Sequence, residues 1–196
     1  MRKLIVGNWK MNGKPSCLAK PQNFDEIYPS QDRGHLDIVI CPPSLLISGM
    51  EDICTNANIQ IGAQNCHYLD KGAYTGEISV TMLKDFGVKF VILGHSERRA
   101  MGETNKEVSL KAIKVVKENL TPIVCVGENL EVRKSGHALK FVSEQIKSSI
   151  AGLSKGYVLA YEPIWAIGTG VTASIDDIRK MHINIREIIG PDVKVL

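Results

Sequence analysis

At 196 residues, with 44% hydrophobic residues and a formal net charge of +3, the chain has the make-up of one globular domain with a large core. Its Lys and Arg are spread along the sequence without a basic tract, which excludes a nucleic acid or an anionic membrane as partner. No apolar run approaches the roughly 18–20 residues that span a bilayer, and the one in "MRKLIVGNWK" is far shorter than a signal-peptide core.

The five cysteines, Cys17, Cys41, Cys54, Cys66 and Cys125, form no C-x-x-C pair and no metal-ligand spacing. An odd number without an export signal reads as reduced thiols in the cytoplasm. Asn119-Leu120-Thr121 fits the glycosylation acceptor, a chance match in a chain that is not secreted.

In chain order, the first predicted strand is "KLIVG" at 3–7. Residues 14–30 should hold the first helix, yet Pro15, Pro21 and Pro29 punctuate them, and Pro21 fits only near a helix start or a break. "LDIVI" at 36–40, "IQIGA" at 59–63 and "FVILG" at 90–94 are the next strands. A helix follows, with Val108, Ala112, Val115 and Val116 at helical spacing behind a capping box of Thr104 and Glu107. "PIVCV" at 122–126 is the fifth strand, followed by a stripe of Ala138, Phe141, Val142, Ile146 and Ile150. "YVLAY" at 157–161 is the sixth. A third stripe of Ile178, Met181, Ile185 and Ile188 is stopped by Gly190 and Pro191. "VKVL" at 193–196 is the seventh strand.

Most of these runs are apolar throughout, the pattern of strands buried on both faces of a parallel sheet. They recur at intervals of about thirty residues, the length of a βα unit. Such units build either a barrel or an open doubly wound sheet, and periodicity leaves the choice open.

Residues capable of chemistry gather after the strands, the edge at which both architectures bind ligands. Asn8 and Lys10 follow the first, Gln64 and Asn65 the third, and His95, Ser96 and Glu97 the fourth. Cys125 and Glu128 flank the end of the fifth, and Glu162 ends the sixth. On a continuing strand Asn8 and Lys10 point to one side and Trp9 to the other, placing a cation beside an amide for an anionic or carbonyl oxygen. His95 precedes "SERRA", a helical turn whose N-terminus favours the neutral imidazole. Glu162 reads as a base, its pKa raised by burial. A lysine extended to solvent, a structural histidine, and a glutamate ion-paired with Lys10 or an arginine remain open from the residues alone. "GTG" at 168–170 is not a dinucleotide loop, and no Walker sequence, nucleophile elbow or His-Glu-x-x-His is present. Neither a cofactor nor a metal site has sequence support.

"VGNWKMN", "GHSERR", "PIVCVGE" and "AYEPIWAIGTG", in that order, resemble the signature segments of the triosephosphate isomerase family. "QNCHYLDKGAYTGEIS" at 64–79 resembles the loop by which that dimeric family inserts into its partner subunit. The resemblance covers nearly the whole chain. It implies a parallel (β/α)8 TIM barrel and a cytoplasmic homodimer of glycolysis and gluconeogenesis that takes triose phosphates and needs no cofactor.

By resemblance, Glu162 moves a proton between adjacent carbons of dihydroxyacetone phosphate and glyceraldehyde 3-phosphate. His95 polarises the carbonyl, and Lys10, supported by Asn8, stabilises the enediolate near the phosphate. Gly168 offers a backbone N–H to the phosphate, and Glu97 and Cys125 stand behind the reacting groups. Pro163, Ile164, Trp165, Ala166, Ile167, Gly168, Thr169 and Gly170 become a lid with Trp165 and Ile167 as its apolar cover; a loop packed permanently on its neighbours is the alternative. Tyr74, Thr75 and Gly76 form the dimer loop, with Thr75 entering the partner near Lys10; a mobile surface loop is the alternative.

The family continues beyond the seventh strand with two glycine loops that bind the phosphate. Residues 1–196 are therefore expected to be a single barrel domain of about six and a half βα units, lacking the end of strand seven, strand eight and the last helices. On that reading the chain is a poor isomerase. The alternative is a non-catalytic fragment that at most associates with other chains.

Overall fold

The structure of the protein, a computed structural model, describes residues 2–196. Strands and helices alternate as expected. β1 (Lys3–Asn8) leads through a 3-10 turn at Pro15–Ala19 into α1 (Lys20–Ile27), and a second 3-10 turn at Ser30–Arg33 leads to β2 (Leu36–Cys41). α2 (Ser44–Asn56), β3 (Gln60–Ala63), α3 (Val80–Asp85), β4 (Phe90–Leu93), α4 (Ser96–Ala100) and α5 (Asn105–Lys117) follow. The remainder is β5 (Thr121–Val126), α6 (Leu130–Lys134), α7 (Ala138–Ser149), β6 (Val158–Tyr161), α8 (Ile175–Ile189) and β7 (Lys194–Val195).

The three prolines of the first helical region find separate uses. Pro15 opens a 3-10 turn, Pro29 precedes the next one, and Pro21 sits in the first turn of α1, where no N–H is required. Thr104 and Glu107 form the capping box of α5, with the Thr104 N–H donating to Glu107 Oε2 at 2.8 Å. Ser174 and Asp177 form a second box on α8, one the sequence reading missed.

The strands follow the chain in the order β1-β2-β3-β4-β5-β6-β7. β1 and β2 pair in parallel from Lys3 opposite Leu36 to Asn8 opposite Cys41. β3 pairs in parallel with β2 and with β4, as β6 does with β5 and β7. Two compact units make up the chain. One holds the residues up to Ile92 with Lys117–Thr121, and the other Leu93–Val116 with Pro122–Leu196.

In the first unit, Val39, Met50, Cys54, Val80 and Val91 are wholly buried. Burial pushes the thiol of Cys41 up to about 12 and that of Cys54 to about 11, so both are inert near neutral pH. In the second unit, Val108, Val115, Val124, Val142, Ile146, Leu159 and Ile185 fill the core. β5 meets the expectation of burial on both faces from Pro122 to Val126. β1 does not: it alternates, and Ile5 is 51% exposed. The physical reason is that β1 pairs with β2 alone among the described strands.

Candidate active site

In the first unit, β1 ends at Asn8 and the strand alternation stops there. Lys10 lies beyond it with φ of 52°, a left-handed conformation. The expectation that Asn8 and Lys10 share one side of a strand is therefore corrected. A non-glycine residue in that region costs on the order of 1–3 kcal/mol and persists only when its surroundings impose it. Side chains do so here. Asn8 Oδ1 accepts the Lys10 N–H at 2.9 Å, and Gln64 Nε2 donates to the Lys10 carbonyl at 2.9 Å and to the Cys41 carbonyl at 2.8 Å. Both backbone polar groups of Lys10 are thus fixed, and Gln64, to which the sequence reading gave no role, is one of the residues that fix it.

The loop expected to make a dimer contact is closed at its root. The His67 N–H donates to the Ile78 carbonyl at 2.8 Å, and the His67 ring packs on Tyr68 and on Tyr74, with centroids 4.5 and 4.4 Å apart. Tyr74 stays 45% exposed, and Gly76 takes a positive φ at the tip.

In the second unit, His95 caps α4, the helical turn expected at "SERRA". Its Nδ1 accepts the Glu97 N–H at 3.3 Å. An Nδ1 that accepts carries no proton, so the neutral ring bears its proton on Nε2. That Nε2 lies 3.0 Å from Glu162 Oε1, and the Ser96 N–H donates to Glu162 Oε2 at 2.9 Å. The candidate base and the candidate electrophile are direct neighbours. The Glu97 side chain is more than half exposed, with its carboxylate 3.4 Å from His95 Nδ1.

The expected rise of the Glu162 pKa is corrected. Burial alone would push it up. The hydrogen bond from His95, the pull of the ring when it is protonated, and the Ser96 N–H together outweigh burial and set it below the ordinary 4.5.

Behind these groups Arg99 ties the turn together. Its guanidinium donates to the carbonyls of Gly94 at 2.7 Å and Cys125 at 3.1 Å, and to Asn105 Oδ1 at 2.6 Å. Cys125 is buried.

The segment expected as a lid contains a 3-10 turn at Ile164–Ala166 and ends at Gly168 and Gly170, both with positive φ. Its two apolar residues differ. Ile167 is exposed, whereas Trp165 is buried and donates from Nε1 to Glu128 Oε1 at 2.9 Å. Glu128 is fully buried and accepts the Tyr161 hydroxyl at 3.0 and 3.1 Å. Burial, and then the Glu128 charge, raise the Tyr161 pKa. The Arg133 guanidinium stacks 4.0 Å from the Trp165 ring and pairs with Asp177 at 2.5 Å. Trp165 therefore anchors the segment in this structure.

Among the described residues, no group of three or more His, Cys, Asp or Glu is placed to hold a metal, and no helix is long and apolar enough to cross a membrane.

The family model for triosephosphate isomerase matches residues 3–195. The triosephosphate isomerase of Alkaliphilus oremlandii is 44% identical over 197 residues, covering 96% of this chain and 78% of that protein. That of Granulibacter bethesdensis is 46% identical over 193 residues, covering 95% and 77%. The crystal structure of triosephosphate isomerase from Bartonella henselae is 34% identical, with a TM-score of 0.87 over 100% of this chain and 82% of that one. The chain belongs to the triosephosphate isomerase family. Its fold is the α/β barrel class of parallel strands expected from the resemblance.

Of the triosephosphate isomerase residues expected from sequence, Asn8 and Lys10 meet in the first unit, and His95, Glu97 and Glu162 in the second. The sequence reading missed the Ser96 N–H, which carries no side-chain signal. It also missed the role of Glu128, although "PIVCVGE" contains it.

Proposed function

We propose that Glu162, His95 and Lys10 carry out the reaction of the chain's family, the interconversion of dihydroxyacetone phosphate and D-glyceraldehyde 3-phosphate through an enediolate. The observation that carries this reading is the contact between Glu162 and a His95 whose Nδ1 is engaged by the Glu97 N–H. Glu162 takes the proton next to the carbonyl and returns it to the neighbouring carbon. His95, with its proton on Nε2, donates to the carbonyl oxygen, so the developing charge is met by a preplaced hydrogen bond. Lys10, its backbone fixed by Asn8 and Gln64, supplies positive charge for the enediolate and phosphate. Gly168 contributes a backbone N–H to the phosphate, and the segment Pro163–Gly170 closes to exclude water. A coupled assay on the purified chain should show isomerisation of dihydroxyacetone phosphate above the background of its Glu162→Gln variant. Indistinguishable rates would leave the non-catalytic reading standing.

The same reading takes the chain as a cytoplasmic homodimer in glycolysis and gluconeogenesis, with Tyr74, Thr75 and Gly76 inserting into a second subunit near Lys10. Support comes from the first unit, where Met11, Leu45, Tyr74, Met82 and Phe86 leave large apolar surfaces exposed. A cavity of about 220 Å³ lined by Ile47, Ile78, Met82 and Phe86 lies among them. Sedimentation of the chain at micromolar concentration should give a dimer, and Thr75→Arg should shift it to monomer. Monomer alone before substitution would contradict the assignment.

A further inference from the structure

One peptide group holds the backbone of Glu162 from the far side. The carbonyl of Val126, at the end of β5, accepts the Glu162 N–H at 2.8 Å. The N–H of the same peptide unit, that of Gly127, donates to Gln145 Oε1 at 2.8 Å. Gln145 projects from α7 and is 7% exposed. A peptide group is planar and stiff. Fixing its N–H therefore fixes the direction of its carbonyl, and with it the position of the Glu162 N–H.

Gly127 closes the contact sterically. A Cβ at this position would lie 1.8 Å from the Glu162 carbonyl oxygen and 3.4 Å from its Cα. The Val126–Gly127 peptide thus abuts the main chain of Glu162 with no room for any side chain between them.

We infer that Gln145 is a positioning residue for the base: it orients the Val126–Gly127 peptide against which the backbone of Glu162 is set. This rests on the reading of Glu162 as the base. Without Gln145 the buried Gly127 N–H loses its acceptor and the peptide is free to tilt toward another. A displacement of the base by about 1 Å is enough to slow proton transfer on the order of 10²-fold. Substrate binding through other groups is untouched. The signature is a loss in kcat with KM nearly unchanged.

The test compares Gln145→Met, similar in shape but without the amide acceptor, with Gln145→Glu, which keeps one. Rates are expressed per folded molecule. Gln145→Met is expected to lower kcat by roughly 10- to 100-fold with KM within about twofold. It should also move the carboxyl titration of Glu162, followed by carbon NMR, as the contact with His95 loosens. Gln145→Glu should recover most of the rate. Val142→Ala, a cavity in the same helix, should weaken the fold and leave kcat per folded molecule unchanged. Should Gln145→Met not fold, Gln145→Asn replaces it, keeping the amide but withdrawing it by one methylene. An unaltered kcat in folded Gln145→Met, or in Gln145→Asn where it stands in, overturns the inference, as does a loss matched by Val142→Ala. In a Glu162→Gln background the Gln145 substitution should add less than about twofold. Full activity in Glu162→Gln alone would overturn the base assignment and this inference together, whereas a dead Glu162→Gln beside a fully active Gln145→Met removes only the inference.

Discussion

Glu162→Gln should reduce solvent-deuterium exchange into dihydroxyacetone phosphate by at least roughly 10²–10⁴-fold, the usual contribution of a general base. The substitution is nearly isosteric. A glutamine oxygen can still accept the Ser96 N–H that now meets Oε2 at 2.9 Å, so the turn before α4 keeps its shape. What disappears is the basic electron pair. Binding of a substrate analogue should change little, because on the proposed reading the carboxylate serves as a base and not as a phosphate ligand. Undiminished exchange would remove Glu162 from the mechanism. The titration of the wild-type carboxyl belongs to the same experiment. A carboxyl lowered by folding stabilises the fold above its unfolded value of 4.5, and that contribution is lost as pH falls through the lower folded value. Carbon NMR should place the Glu162 midpoint below 4.5 in the folded chain. A midpoint near about 6, as for a carboxyl dominated by an apolar pocket, would show that burial outweighs His95 and Ser96.

Glu128→Leu should destabilise the chain by about 2–6 kcal/mol. Two buried donors lose their acceptor, the Tyr161 hydroxyl at 3.0 Å and Trp165 Nε1 at 2.9 Å, and each unsatisfied group costs roughly 1–3 kcal/mol. A domain's net stability is only about 5–15 kcal/mol, so the effect is a large share of it. Arg133 keeps Asp177 and the face of Trp165, which moderates its own loss. Glu128→Gln retains one carbonyl acceptor and should lose less. Urea unfolding at unchanged m-value is the measurement, and a loss below about 1 kcal/mol for the leucine variant would contradict the role assigned to Glu128. The anchoring of Trp165 also ties Glu128 to the segment 163–170. In a Trp9→Phe background, Glu128→Leu should shift the Trp165 emission toward that of a solvated indole.

The strands were legible because residues buried in a parallel sheet are apolar in unbroken runs. "PIVCV" became the buried β5 with its bounds nearly unchanged. The helix stripes were legible for the complementary reason, since one face is buried and the period is 3.6. Even the awkward region around Pro15, Pro21 and Pro29 resolved by the rule that read it, because proline is tolerated where no N–H is needed. The identities of Lys10, His95 and Glu162 came from position after strands and from resemblance to a family.

Their arrangement needed the folded chain. Ser96 and Glu162 are 66 positions apart, and nothing local says that one donates to the other. The left-handed Lys10 was misread as a strand residue, because its conformation is imposed by Asn8 and by a glutamine 54 positions away. The direction of the Glu162 pKa was misread for the same reason: burial can be guessed from an apolar run, but the hydrogen bonds that oppose it depend on where a distant histidine points. That Trp165 is anchored in this structure was likewise not legible locally, since its partner Glu128 comes from the end of another strand. The sequence alone determined the elements, their order and the kinds of chemical group at the strand ends, because period, capping and burial act over a few residues. The tertiary structure decided which groups meet, through which atoms and on which support, because hydrogen bonds between distant segments require register and distance that no local pattern carries.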